Sequence, residues 1–323
     1  MSIRIRKAGI LSSLQDHGRF GFRRFGVPSS GSMDQYSAAI ANLLVGNHRQ
    51  EAVLEITMQG LQVEFLEDSL VAFSGNGSRP YVGNQPIDIN KPVWIPQYSV
   101  MDLKYHSVGC HLYMAIAGGW IQETVMSSRS SYAAAGAGHS LVAGDVLQGG
   151  QPSQRAVKIV EQLDTSKINM AHWGYGAMEA IPDTVRVLRG PEWYDFTSAS
   201  HDNWMNTLYT VTTSSNRMGY RLSGNALQLK HAKEMISTAV MMGTVQVTPD
   251  ENPLILLADA QTTGGYPRIA QVIEVDFPVL AQKRPGDKIG FVLVEPDIAE
   301  SLFISNEKQL LRLEKAVQSK IGI

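Results

Sequence analysis

Three short stretches concentrate side chains able to bind or transform a small polar molecule. The first, SLQDHGRFGFRRFGVPSSGSMD at residues 13 to 34, sets Gln15, Asp16 and Arg19 among glycines 18, 21, 26 and 31 and ends where a helix begins. Free N–H groups at a helix start favour an anion or a carbonyl oxygen, and the planar fork of Arg19 suits a carboxylate. Asp34 reads equally as a helix-capping acid. The second stretch, TSSNRMGYRLSG at 213 to 224, offers the amide of Asn216, the guanidinium of Arg217 and the phenol of Tyr220 within one turn. Taken alone, it is also a surface β-turn with a solvated arginine. The third, ADAQTTGGYPR at 258 to 268, interrupts two apolar runs with more side-chain chemistry than a hairpin needs. Gln261, Thr262 and Thr263 can donate to a carbonyl oxygen, Gly264 and Gly265 let backbone N–H groups approach a ligand, and Pro267 biases Tyr266 toward an extended conformation. Its plain alternative is a long turn with solvated polar groups.

Those loops need a scaffold, and most of the chain reads as short strands: 3 to 6, 62 to 66, 70 to 74, 111 to 117, 185 to 189, 208 to 213, 254 to 260 and 269 to 275. Turn-rich pieces such as SGNGS, VGNQP and QKRPGDK punctuate them, a spacing that favours sandwiches or barrels over alternating βαβ units. The expected class is mainly β. Two helices stand out. In SMDQYSAAIANLLVGN the apolar positions Met33, Tyr36, Ile40 and Leu43/Leu44 recur at three and four, with Ser32 or Asp34 to cap the start and Gly46 to end it. Residues 296 to 318 form a C-terminal helix whose Leu310, Leu313 and Val317 make one apolar stripe for docking on the body. IRIRKAG at 3 to 9 echoes VRVLRGP at 185 to 191, QDHGRFGFRRFG echoes SNRMGYRLSG, and LVAGDVL and KRPGDKIGF each carry Gly-Asp beside a strand. This echo suggests two related β modules, at 1 to 150 and 184 to 293, a connecting region at 151 to 183 and a helical segment at 294 to 323.

Composition narrows the function classes. The 323 residues are 44% hydrophobic and 18% charged, ordinary globular material, and a formal net charge of −2 gives no general drive toward nucleic acid or anionic membrane. A single cysteine, Cys110, rules out an internal disulfide. The amino terminus MSIRIRKAGI alternates polar and apolar residues, and no window approaches the roughly eighteen apolar residues of a membrane span, so a cytoplasmic protein is expected. Phosphate-loop and nucleophile-elbow patterns do not occur. His106, Cys110 and His111 are the only tight grouping of possible metal ligands, and no metal site is expected from them.

In order along the chain, SLQDHGRFGFRRFGVPSSGSMD, ANLLVGN, LEITMQG, AIAGGW, SSRSSY, LRGPEWYDF, SNRMGYRLSG, ADAQTTGGYP and AQKRPGD closely resemble the KipA-like, biotin-dependent carboxyltransferase family, over about residues 3 to 292. That family commonly has Gly-Ser-Arg-Ser-Thr where this chain reads Ser127-Ser128-Arg129-Ser130-Ser131, and a larger or basic residue where it has Ala260. The resemblance implies a pair of cyclophilin-like β-barrel modules. It implies the role of the C subunit in an ATP-dependent 5-oxoprolinase, opening the lactam of 5-oxo-L-proline to L-glutamate with a KipI-like B subunit plus a LamB/YcsF-like A subunit. ATP would act at the level of the complex, and this chain, which lacks a Met-Lys-Met signature, would carry no covalent biotin. Alternatives within the family are carboxyl transfer from carboxybiotin to urea or a similar amide, and non-catalytic antagonism of a KipI-like kinase inhibitor. On the 5-oxoprolinase reading Arg217, Asp34 and Tyr220 are the expected catalytic residues, and Arg19, Asn216, Gln261, Thr262, Thr263, Gly264, Gly265 and Tyr266 the expected substrate contacts.

Overall fold

The computed structural model describes residues 1–132, 136–176 and 180–322. The chain divides into two compact units. The first comprises Met1–Gly18, Asp34–Ala180 and Glu307–Ile323, the second Arg19–Met33 and Ile181–Asn306. Among the described residues the fold is mainly β with five α-helices, α1 Gln35–Leu44, α2 Gln154–Val160, α3 Ser198–Asn206, α4 Phe277–Ala281 and α5 Pro296–Lys320.

The first unit is built on two sheets. One runs in the order Trp120–Ile121, Val146–Gly149, Ser2–Ala8, Leu61–Phe65, Val100–Tyr105, Ser78–Val82, Gln85–Pro86; the other in the order Asn169–Met170, Pro92–Ile95, Ser69–Gly75, His111–Ile116, Val53–Thr57, Leu11–Gln15. Alternation along these strands sends Ile3, Ile5, Val63 and Phe65 from one sheet and Leu54, Ile56, Phe73 and Met114 from the other into a shared core. The opposite face of the second sheet is covered too: Val53, Ala72, Tyr113 and Ala115 pack with Ile40, Leu43 and Leu44 of α1 and with Leu310, Leu313 and Val317 of α5. Burial on both faces explains why every residue of His111–Ile116 is buried and why that segment reads as a continuous apolar run. The predicted stripe on the C-terminal helix is therefore the one that docks.

The second unit holds a closed seven-stranded barrel, in the order Thr184–Arg189, Arg268–Val272, Thr244–Val247, Pro253–Leu256, Gly219–Ser223, Tyr209–Val211, Lys288–Leu293. It closes through a parallel pairing of its first and last strands, Thr184 opposite Gly290 and Val187 opposite Leu293. Val185, Val187, Val211, Leu222, Val245, Ile255 and Ile269 fill the interior, joined by Met33. Trp204 of α3 stacks on Phe291, ring centroids 3.7 Å apart. A two-stranded ribbon pairs Thr238–Ala239 with Thr263–Gly264. The strand expected at 254 to 260 ends at Leu256; beyond it Leu257 donates to the Met218 carbonyl and Asp259 to that of Arg217, which turns the chain.

The two Gly-Asp segments share one turn geometry. In Val142-Ala143-Gly144-Asp145 and in Arg284-Pro285-Gly286-Asp287 the glycine has φ of 101° and 95°. In both, the aspartate N–H returns to the first residue's carbonyl, and the first residue's N–H donates to the aspartate Oδ2, at 2.9 and 2.8 Å. A positive φ at the third position is what a type II turn requires, hence glycine. The strands that follow each pair with the first strand of their unit, but Val146–Gly149 runs antiparallel to Ser2–Ala8 whereas Lys288–Leu293 runs parallel to Thr184–Arg189. Truncating the stacked pair in the barrel should be severe: Phe291→Ala is expected to destabilise by about 3–5 kcal/mol, read as a lower denaturant midpoint at unchanged m-value.

Candidate functional site

In the second unit residues 19–33 of the first chemically rich stretch meet the other two stretches, and a turn supplies the central side chain. The Asn216 side-chain oxygen accepts from the Met218 N–H at 2.8 Å, while Asn216 and Gly219 exchange backbone hydrogen bonds of 3.2 and 3.1 Å. This Asx-type turn at the head of the Gly219–Ser223 strand holds Arg217 between its two arms. The Arg217 Nε donates to Asp259 Oδ2 at 2.7 Å and one terminal nitrogen to Asp259 Oδ1 at 3.3 Å. The same nitrogen donates to the Gly31 carbonyl at 2.7 Å. Both side chains are nearly buried, 12% and 11% exposed. Ser30 completes the stitching by donating its N–H to the Ala258 carbonyl at 3.0 Å. Residues 19–33, the 213–224 turn and the 258–268 loop are thus joined through one ion pair and its neighbours.

Asp259 is the residue that the sequence reading left without a role. Its signal was present: an acid in LILLADA, directly after a buried strand, needs a partner when it is itself buried. Arg19 is buried, and its N–H closes the 19–29 loop on the Ser29 carbonyl at 2.6 Å. Arg23 spans that loop, donating to the Ser29 hydroxyl and to the Val240 carbonyl. Tyr220 lies in the barrel core with its hydroxyl donating to the Lys283 carbonyl at 3.1 Å.

Along the 258–268 loop, Gln261 is half-buried, Thr262 is buried with its carbonyl taken by Val240 N–H, and Thr263 and Tyr266 are exposed. Gly264 has a specific packing reason. A Cβ there would sit 2.5 Å from the side-chain nitrogen of Gln246, a fully buried residue that donates to the Tyr266 carbonyl at 3.2 Å. At Gly265 the nearest atom to an added Cβ is the Ser237 hydroxyl at 3.4 Å, ordinary contact.

Asp34 belongs to the first unit, whereas Arg217 and Tyr220 belong to the second. There it caps α1: Oδ1 accepts from the Ser37 N–H at 2.8 Å, Oδ2 from the Ser37 hydroxyl at 2.6 Å, and its own N–H donates to the Tyr113 hydroxyl at 2.8 Å. Burial pushes the Tyr113 phenol well above its usual range, with Glu55 and Asp34 adding to it. Asp16 organises the SSRSS segment of the same unit. Its carboxylate accepts from the hydroxyls of Ser130 and Ser128 at 2.6 and 2.7 Å, from Arg129 N–H at 2.6 Å and from Gly18 N–H at 2.8 Å. Burial pushes its pKa up, but these four donors outweigh burial and leave it below 3.8. Among the described residues no group of three or more His, Cys, Asp or Glu side chains could hold a metal ion, and no helix is long and apolar enough to cross a membrane.

Comparison with known proteins gives a consistent picture. The sequence profile of the carboxyltransferase domain, subdomain A and B, matches residues 25–293. The chain is similar to the 5-oxoprolinase C subunit of Escherichia coli, 35% identical over 290 residues that make up 90% of each protein. It is similar to the 5-oxoprolinase C subunit of Haemophilus influenzae as well, 32% identical over 310 residues, 96% of each. The crystal structure of the Kluyveromyces lactis urea carboxylase aligns with a TM-score of 0.82 at 26% identity, covering 98% of this chain and 29% of that one.

Two stability measurements follow from this geometry. Asp259→Ala leaves the Arg217 guanidinium buried without its counter-charge and should cost about 3–5 kcal/mol by chemical denaturation. The Asp16 pKa is lowered on folding, so its contribution is complete above the unfolded value near 3.8 and is lost as pH falls through the lower folded value. Asp16→Asn should therefore lower the melting temperature near pH 7, and the gap from the wild type should narrow as pH falls below 3.8.

Proposed function

This chain belongs to the carboxyltransferase domain family, subdomain A and B, and on that premise we propose that it is the C subunit of an ATP-dependent 5-oxoprolinase, acting with a KipI-like B subunit plus a LamB/YcsF-like A subunit. The observation that carries this reading is the extent of the match: the alignments to two bacterial 5-oxoprolinase C subunits take in 96% and 90% of those proteins. The reaction of the complex is the opening of 5-oxo-L-proline to L-glutamate coupled to ATP hydrolysis.

Resonance between nitrogen and carbonyl protects a lactam from water. Activating the carbonyl oxygen at the expense of ATP removes that protection, and preorganised donors then stabilise the tetrahedral intermediate. In this reading Arg217 polarises the carbonyl, held in place by Asp259, the Gly31 carbonyl and the Asn216 turn. Gln261, Thr262, Thr263 and the backbone at Gly264 and Gly265 supply further contacts, with Tyr266 at the exposed edge of the loop. Arg19, buried in the same unit, holds the carboxylate of the substrate. Tyr220 transfers a proton only by giving up its bond to the Lys283 carbonyl. Asp34 is left as the cap of α1 in the other unit.

The likeness to a urea carboxylase favours a second reading, carboxyl transfer from carboxybiotin on another chain to a small amide. The two readings separate in a complex reconstituted from all three proteins and assayed for glutamate release and ATP hydrolysis with and without 5-oxo-L-proline. Lactam-dependent turnover that avidin does not inhibit supports the first; avidin-sensitive turnover of urea supports the second. Arg217→Ala and Arg217→Lys should each lower kcat by about 10²-fold. Unchanged turnover in both variants would remove Arg217 from the site.

A further inference from the structure

The turn that accepts the Arg217 hydrogen bond carries two serines whose hydroxyls none of the foregoing uses. Ser30 and Ser32 flank Gly31 and are 4% and 1% exposed. The hydroxyl oxygen of each is buried with no hydrogen-bond partner among the described residues. A buried hydroxyl without a partner loses its water and gains nothing in return, so two within three residues call for an explanation. The backbone is unusual as well: Ser30 has a φ of 52°, left-handed for a residue with a Cβ, followed by Gly31 at 94°. Such strain persists only where surrounding contacts impose it, and it gathers at ligand-binding positions. Here those contacts are the Ser30 N–H to the Ala258 carbonyl and the Arg217 guanidinium to the Gly31 carbonyl.

We infer that Ser30 and Ser32 are substrate-binding residues whose hydroxyls recognise the edge of a cis amide, one donating to its carbonyl oxygen and the other accepting from its N–H. This inference rests on the amide chemistry proposed above and specifies what the site reads. A hydroxyl both donates and accepts, so a pair of them matches a group that presents C=O and N–H on the same side. A five-membered lactam is held cis by its ring, and urea presents the same edge. Charge points the same way. Arg217, which donates to the Gly31 carbonyl, carries its counter-ion in Asp259, so the group that faces the two hydroxyls need bring no charge of its own, as an amide edge does not.

The test uses the reconstituted complex with Ser30→Gly and Ser32→Ala. Glycine at 30 keeps the left-handed backbone without strain and removes only the hydroxyl. Each variant should raise the KM for 5-oxo-L-proline at least about tenfold with no fall in melting temperature, the size expected for one lost hydrogen bond. An unchanged KM with a lower melting temperature would mean that the hydroxyls are structural, bonded to buried water, and would overturn the inference. Calorimetric titration of the same complexes with 5-oxo-L-proline and with urea separates this inference from the lactam reading. Urea binding without lactam binding, lost in both variants, keeps the serine pair and rejects the lactam. Equal binding by wild type and variants, or binding of neither amide by wild type, rejects the pair.

Discussion

The nearly buried guanidinium of Arg217 is the constraint on which the second unit's loops depend. Withdrawn from water, it must find acceptors in the protein, and it finds them on two segments far away in sequence: the Asp259 carboxylate, 42 residues on, and the Gly31 carbonyl, 186 residues back. The planar fork makes both sets of contacts directional. Meeting them fixes the 258–268 loop against the head of one barrel strand and draws the Ser30-Gly31-Ser32 turn onto the same place. A pair of this kind adds little net stability, because desolvation offsets most of the attraction. What it supplies is a single arrangement of three otherwise pliable loops.

Asp16 does the equivalent work in the first unit by a different means. Instead of a counter-charge it gathers four neutral donors, two hydroxyls and two backbone N–H groups, and thereby wraps the SSRSS segment around one carboxylate. The serines at 128 and 130 are therefore needed for their hydroxyls, and the family's usual Gly-Ser-Arg-Ser-Thr keeps a hydroxyl at both places. Stability there is tied to pH in one direction only, since protonating Asp16 removes the acceptor that all four donors share.

Much of the architecture was legible because it is local. Helix α1 declared itself through three-and-four spacing and a capping acid, and Asp34 caps it. The docking stripe of α5 was readable as Leu310, Leu313 and Val317. The two Gly-Asp turns were readable as a repeat, since each is closed within four residues by its own aspartate. The glycine pair in the 258–268 loop was harder. Gly264 gives its missing Cβ to the side chain of Gln246, a residue eighteen positions earlier with no local signal pointing to it. Asp259 and Arg217 were both in view, yet nothing in either stretch names the other as partner.

By itself, then, the sequence determined the mainly β class, the helices, the turns and the loops rich in amides, hydroxyls and guanidinium groups, because periodicity, capping and turn chemistry act over a few residues. Only the tertiary structure decided that residues 19–33 fold with the barrel and that Arg217 meets Asp259 and Gly31. Those outcomes depend on which buried polar group finds which partner across tens to hundreds of residues. The desolvation of each group sets that choice, and no short-range pattern records it.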